Sequence, residues 1–275
     1  IRRCLVGSEM CIRDRPKATS LRVSKLGYYS EEQEQKFINF NSLKDYLEII
    51  KYYINVPNKR FKEIEIELAN PKQINNGTIQ MESELYNHIR PKGEFTTNER
   101  QYNQLKKGGI KYLELRSIDL NPYTAYGISQ IEIEFLELLS IYCILCGDEK
   151  IDPVEEIKIK ENIRRASESG QDCNLICSFE KGDAEKNIKV LTQELLESLE
   201  SLSNAIGLKE NHKNMFKEFY RRNEVPLSTQ IIDDLSNNSI VNFISSKSKK
   251  QNLNLSKEFL KKMSLEAKTL SLIHI

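Results

Sequence analysis

The 275-residue chain is short of several features that define large protein classes. It has no long charge-free stretch. The most apolar such run, Leu138 to Gly147, and the longest, Leu120–Ile131 and Leu235–Ser246 at 12 residues each, are all far below the roughly 20 apolar residues of a membrane-spanning helix. Its 11 Gly and 7 Pro exclude collagen-like and Pro/Gly-rich low-complexity chains. Six Cys are too sparse for a disulfide-stapled secreted module, so a reducing, cytoplasmic setting is the expectation. There is no excess of charge: 41 Lys+Arg against 40 Asp+Glu give +1. That balance argues against a dedicated nucleic-acid binder. P-loop, G-x-G-x-x-G and G-x-S-x-G motifs are all missing. What remains, 39% hydrophobic and 29% charged, is the composition of a globular chain with one or two cores.

Early strands and late helices, with no regular βαβ alternation, predict an α+β fold. Leu43, Leu47, Ile50 and Ile54 follow helical spacing over 40–54, with Asn41 or Ser42 as cap. Residues 61–68, 78–86 and 110–120 read as strands, and 93–103 as a loop leading to a short helix ended by Gly108-Gly109. A helix with a wide apolar face (Phe135, Leu138, Leu139, Tyr142, Leu145) is predicted over 128–146. Residues 147–187 read as mixed, with loops around Gly147, Gly170 and Gly182. Residues 188–206, 210–222 and 256–268 read as helices, the first stopped by Gly207.

Strand 110–120 carries the most chemical information. Period two puts Tyr112, Glu114 and Arg116 on one face, with Leu113 and Leu115 on the other. Charges among apolar neighbours need partners. Two readings stand: a structural Glu–Arg pair, or an acidic metal ligand beside a phosphate-binding Arg. On 78–86, Glu82, Glu84 and Tyr86 share a face, followed by Arg90-Pro91-Lys92. Carboxylates and guanidinium groups together suit a nucleotide–magnesium site, although a solvated strand face fits the second segment as well.

Three segments, ATSLRVSKLGY, QMESELYNHIRPK and GGIKYLELRSIDLNPY, together with the helix ISQIEIEFLELLSIYCIL, resemble the bacterial glutamate–cysteine ligase family in order and spacing. The resemblance is strong from Ala18 to about Leu145 and looser to about residue 245. It implies a glutamine-synthetase-like antiparallel sheet with surrounding helices, incomplete in this chain. It also implies an ATP- and magnesium-dependent ligase joining the γ-carboxylate of L-glutamate to the amine of L-cysteine through a γ-glutamyl phosphate. Glu114 then matches a metal-binding Glu, and Arg116 the Arg that contacts ATP phosphate. Arg22, Tyr28 and Tyr86 match residues of the amino-acid substrate pockets. Arg90 is a further phosphate or sheet-stabilising candidate. Gly93 departs from the basic residue usual in the family.

The first fifteen residues and the tail LSLIHI resemble translated sequencing adapter. The expected organisation is therefore 1–15 and 270–275 extraneous, 16–150 a catalytic sheet portion and 151–269 mostly helical. The chain is expected to be a fragment of a longer ligase and inactive alone, lacking the family's N-terminal acidic metal ligands. Competing readings are a ligase with another amine substrate, distinguished by Arg22, Tyr28 and Tyr86, and a non-catalytic α+β interaction domain. Cys143-x-x-Cys146 lies in an apolar helix and reads as small buried hydrophobes rather than zinc ligands. His88 and His212 read as surface residues, and Lys247–Lys250 as a solvated loop.

Overall fold

A computed structural model of the chain describes residues 17–20, 22–25, 27, 36–62, 73–85, 87–95, 99–147, 149–179, 182–235 and 239–273. The fold is α+β: helices predominate, with small antiparallel sheets. The described chain divides into two compact units that interleave in sequence, one built from residues 22–118 and 148–164, the other from residues up to 20, 119–147 and 165 onward.

In the first unit, helix α1 (Leu43–Asn55) begins where Ser42 accepts a hydrogen bond from the Asp45 N–H. It buries Tyr46, Leu47 and Ile50 against Ile38, Leu85 and Leu105. A single turn, α2 (Lys59–Lys62), follows. This corrects the start of the strand expected over 61–68, whose remainder lies outside the described residues. Among the described residues 78–85, the strand expected over 78–86 is also absent. Side chains there satisfy the backbone locally, because Gln80 Oε1 accepts from the N–H groups of Ile74 and Asn75, and Glu84 accepts from the Gln80 N–H. A 3-10 turn covers Glu82–Glu84.

Strand β1 (Ile89–Lys92), helix α3 (Gln101–Gly108) and strand β2 (Tyr112–Leu115) complete the site's scaffold. Leu105 of α3 is fully buried, and Gly109 closes the helix at φ 70°. Gly93 packs against this helix. A Cβ there would lie 2.8 Å from the Gln104 carbonyl carbon, so the larger family residue has no room in this chain.

In the second unit, α4 (Gln130–Leu145) opens with a capping box between Ser129 and Glu132. Helices α6 (Ile188–Ala205) and α7 (Lys209–Glu224) pack on it. Leu138, Leu196, Leu199, Met215 and Phe216 form this core, and Phe135 stacks on Phe219 with ring centroids 4.0 Å apart. Arg222 ties the bundle together, reaching Glu132 at 2.7 Å and Glu218 at 2.9 Å.

The span read as mixed holds helix α5 (Pro153–Ser169) and a hairpin, β3 (Asn174–Phe179) with β4 (Gly182–Asn187). Asp152 Oδ1 accepts from the Val154 and Glu155 N–H groups and starts α5, with Pro153 in the first turn. After α8 (Leu227–Leu235), α9 (Ile240–Ile273) is far longer than the helix expected over 256–268. Lys247 is therefore helical. Its ammonium pairs with Asp234 at 3.1 Å and lies over the Tyr123 ring. His212 is buried, 2.9 Å from the Ser203 hydroxyl, and not a surface residue. Cys143 and Cys146 are exposed free thiols rather than buried hydrophobes. Among the described residues no helix is long and apolar enough to cross a membrane.

Candidate functional site

The sequence I-R-P-K can form β1 because of its register. Ile89 faces Leu115, Arg90 faces Glu114, Pro91 faces Leu113 and Lys92 faces Tyr112. The Arg116 N–H donates to the His88 carbonyl at 2.8 Å. Antiparallel pairs alternate, so Glu114 and Tyr112 also turn their backbone groups to β1, while the Pro91–Leu113 pair does not exchange hydrogen bonds. Pro91 sits where its missing N–H costs no ladder bond.

The register gives the ribbon two unlike faces. Arg90, Lys92, Tyr112 and Glu114 lie on one, with Arg116 continuing the same alternation. On this face Glu114 Oε2 is 3.2 Å from Lys92 Nζ, and Glu114 Oε1 is 3.9 Å from Arg116 Nε. Lys92 also donates to Gln101 Oε1 at 3.2 Å, and Gln101 in turn donates to the Pro91 carbonyl at 2.8 Å. Helix α3 thereby fixes the ammonium. The carboxylate sits between two cations, and its side chain is still 40% exposed. Glu114 and Arg116 touch, as a structural pair would, but they are not sealed away.

Arg90 points elsewhere. It is buried, and its guanidinium donates to the Ser83 carbonyl at 2.7 Å and to the Leu85 carbonyl. That geometry fits its sheet-stabilising reading. Glu82 and Glu84 also have local work: Glu82 pairs with Arg100 at 3.4 Å, and Glu84 holds the Gln80 N–H. Arg22 is half-buried in a short turned segment of the same unit. Tyr28 and Tyr86 lie outside the described residues. Sequence reasoning left Lys92 without a role. The alternation Arg90-x-Lys92 opposite Tyr112-x-Glu114 was the available signal, but using it required the register.

The opposite face is apolar. Ile89, Pro91 and Leu113 line a groove of about 480 Å³ together with Phe37, Ile159 and Ile163.

Among the described residues no three His, Cys, Asp or Glu side chains converge as a metal site. Glu114 is one carboxylate, already flanked by two cations. The described residues therefore do not fit a magnesium ion by themselves.

The fold is one that solved ligases share. The chain superposes on glutamate–cysteine ligase from Francisella tularensis, solved in complex with AMP, with a TM-score of 0.76 at 24% identity, covering 86% of this chain and 48% of that one. A bifunctional glutathione synthetase from Pasteurella multocida follows at a TM-score of 0.62 and 20% identity, with 86% and 27% covered. The family model described as glutamate-cysteine ligase matches residues 7–166, more than half of the chain, and the chain belongs to that family. The glutamate–cysteine ligase of Wigglesworthia glossinidia brevipalpis is 35% identical over 209 residues, which is 74% of this chain and 41% of the relative. That of Shewanella halifaxensis is 39% identical over 150 residues, 54% and 29% respectively. The chain thus spans less than half the length of these curated relatives.

Proposed function

We propose that the chain is part of an ATP-dependent ligase that joins the γ-carboxylate of L-glutamate to the amine of L-cysteine, the first step of glutathione biosynthesis, in the cytoplasm. A carboxylate is a poor electrophile until its oxygen is phosphorylated. The amine then displaces phosphate from the γ-glutamyl phosphate. Negative charge gathers on the transferring phosphoryl oxygens, and fixed cations lower that barrier. The observation that carries this reading is the face of β2 and β1 where Arg116 and Lys92 flank Glu114, within the segment matched by the family model.

In this reading Arg116 supplies a planar donor fork to phosphate oxygens, and Lys92 a point charge beside it. Glu114 holds both cations in place and serves as one ligand to magnesium, whose other ligands the described residues do not supply. Arg22, Tyr28 and Tyr86 contact the amino-acid substrates. Arg90 ties β1 to the carbonyls of Ser83 and Leu85 rather than touching nucleotide.

The activity on this account belongs to the longer protein. The test is a hybrid in which this chain replaces the 209 matched residues of the Wigglesworthia relative. The hybrid is expected to form γ-glutamylcysteine with ATP, the 275-residue chain alone to form none, and Glu114→Gln in the hybrid to lose most turnover while staying folded. Near-normal turnover of the Glu114→Gln hybrid removes Glu114 from the site.

A further inference from the structure

We propose that Gln101 is a positioning residue for ATP: it holds Lys92 off Glu114, so that the ammonium keeps a proton and its charge for a phosphate oxygen. The inference rests on the proposed ligase reading and adds to it a residue that itself touches no substrate.

An ammonium on a flexible stem has three protons to donate and moves to whatever acceptor attracts it most. Lys92 Nζ faces a full negative charge at Glu114 Oε2, 3.2 Å away. With no second acceptor the two would close into a simple ion pair, and the carboxylate would cancel the cation locally. Gln101 Oε1 accepts from the same ammonium at 3.2 Å and carries no charge. It draws Lys92 toward α3 without neutralising it. Two protons are thereby placed among the described residues, and a third is left for a ligand on the face that Lys92 shares with Glu114 and Arg116.

The amide is locked in the orientation this requires. Its Nε2 donates to the Pro91 carbonyl at 2.8 Å. Only one setting of the amide puts a donor on that carbonyl and an acceptor on the ammonium. The backbones on both sides are fixed as well. The Lys111 N–H donates to the Lys92 carbonyl at 2.8 Å and keeps Lys92 in the strand pairing. Gln101 opens α3, which is anchored by the fully buried Leu105. The helix lies so close to the end of β1 that a Cβ on Gly93 would come within 2.8 Å of the Gln104 carbonyl carbon. The missing side chain at Gly93 therefore brings α3 near enough for a glutamine to reach Lys92. All of these contacts lie inside one compact unit of the chain.

Equilibrium dialysis of the hybrid enzyme, a readout that needs no turnover, tests this with two probes, ATP and AMP. Gln101→Met keeps much of the side-chain volume and removes both donor and acceptor. It is expected to weaken ATP binding about tenfold and to leave AMP, which lacks the transferring phosphate, unchanged. Lys92→Met is expected to weaken ATP at least as much. Adding Gln101→Met to Lys92→Met is expected to change nothing further, because the glutamine acts only through the ammonium. Wild-type ATP binding by Gln101→Met, beside a weakened Lys92→Met, overturns the positioning role and leaves the ligase reading standing. A loss shared equally by AMP, or additive losses in the double variant, overturns it too. Wild-type ATP binding by Lys92→Met removes Lys92 from the phosphate site, and that part of the reading falls together with the inference.

Discussion

Lys92 Nζ lies 3.2 Å from Glu114 Oε2 across the β1–β2 ribbon, and Gln101 of α3 holds the same ammonium from its other side. Two strands and a helix thus converge on one carboxylate. Partly exposed pairs of this kind contribute at most about 1 kcal/mol to stability. Their value lies in position: the carboxylate keeps two cations side by side on one face of a strand.

Arg90 is expected to matter for stability rather than for nucleotide affinity. Removing its buried guanidinium strands the carbonyls of Ser83 and Leu85. Arg90→Ala is expected to destabilise the chain by about 1–3 kcal/mol, read from the midpoint of urea unfolding. Arg90→Lys is expected to recover little of this, since one ammonium on a flexible stem does not reproduce the fork. A wild-type midpoint for Arg90→Ala contradicts this assignment.

Gly93 is expected to tolerate no side chain. A Cβ at this position meets Gln104 at 2.8 Å and the Leu105 nitrogen at 3.0 Å, within the first turns of the α3 packing. Gly93→Ala is expected to cost about 1–3 kcal/mol through overpacking, and a basic residue more. Unfolding midpoints of the two variants check the order.

Glu218 makes α7 and its tie to α4 sensitive to acid. Hydrogen bonds from Arg221 and then Arg222 hold its carboxyl down at about 2, against an ordinary 4.5. A lowered folded-state value stabilises the ionised form. Its contribution is complete above the ordinary value and is lost as pH falls through about 2. Wild type is expected to exceed Glu218→Gln in stability near neutrality, and the gap is expected to close on acidification. A gap that is constant with pH contradicts the pairing.

Much of the helical frame was legible in the residues. The spacing of Leu43, Leu47, Ile50 and Ile54 gave α1, and Gly207 stopped α6 where φ reaches 77°. Of the described strands only β2 was legible, inside the strand read over 110–120. β1 contains a proline, β4 reads Gly-Asp-Ala-Glu-Lys-Asn, and neither shows apolar alternation. Conversely, residues 78–86 alternate well, yet Gln80 and Glu84 satisfy the backbone locally and no ladder forms among the described residues 78–85. Helix α5 was hidden by its β-branched Val154, Ile157, Ile159 and Ile163. At the site, Glu114 and Arg116 were legible because period two is a local rule. The role of Lys92 was not, because it depends on a register set by pairing between distant segments.

The central claim is that Arg116 serves transferring phosphate rather than the fold. The most direct measurement is ATP-dependent γ-glutamylcysteine formation by the hybrid enzyme carrying this chain, compared with its Arg116→Ala variant. The account predicts a fall in kcat of about 100-fold or more, with the unfolding midpoint little changed. Equal turnover in the two proteins, or a loss fully explained by unfolding, contradicts it.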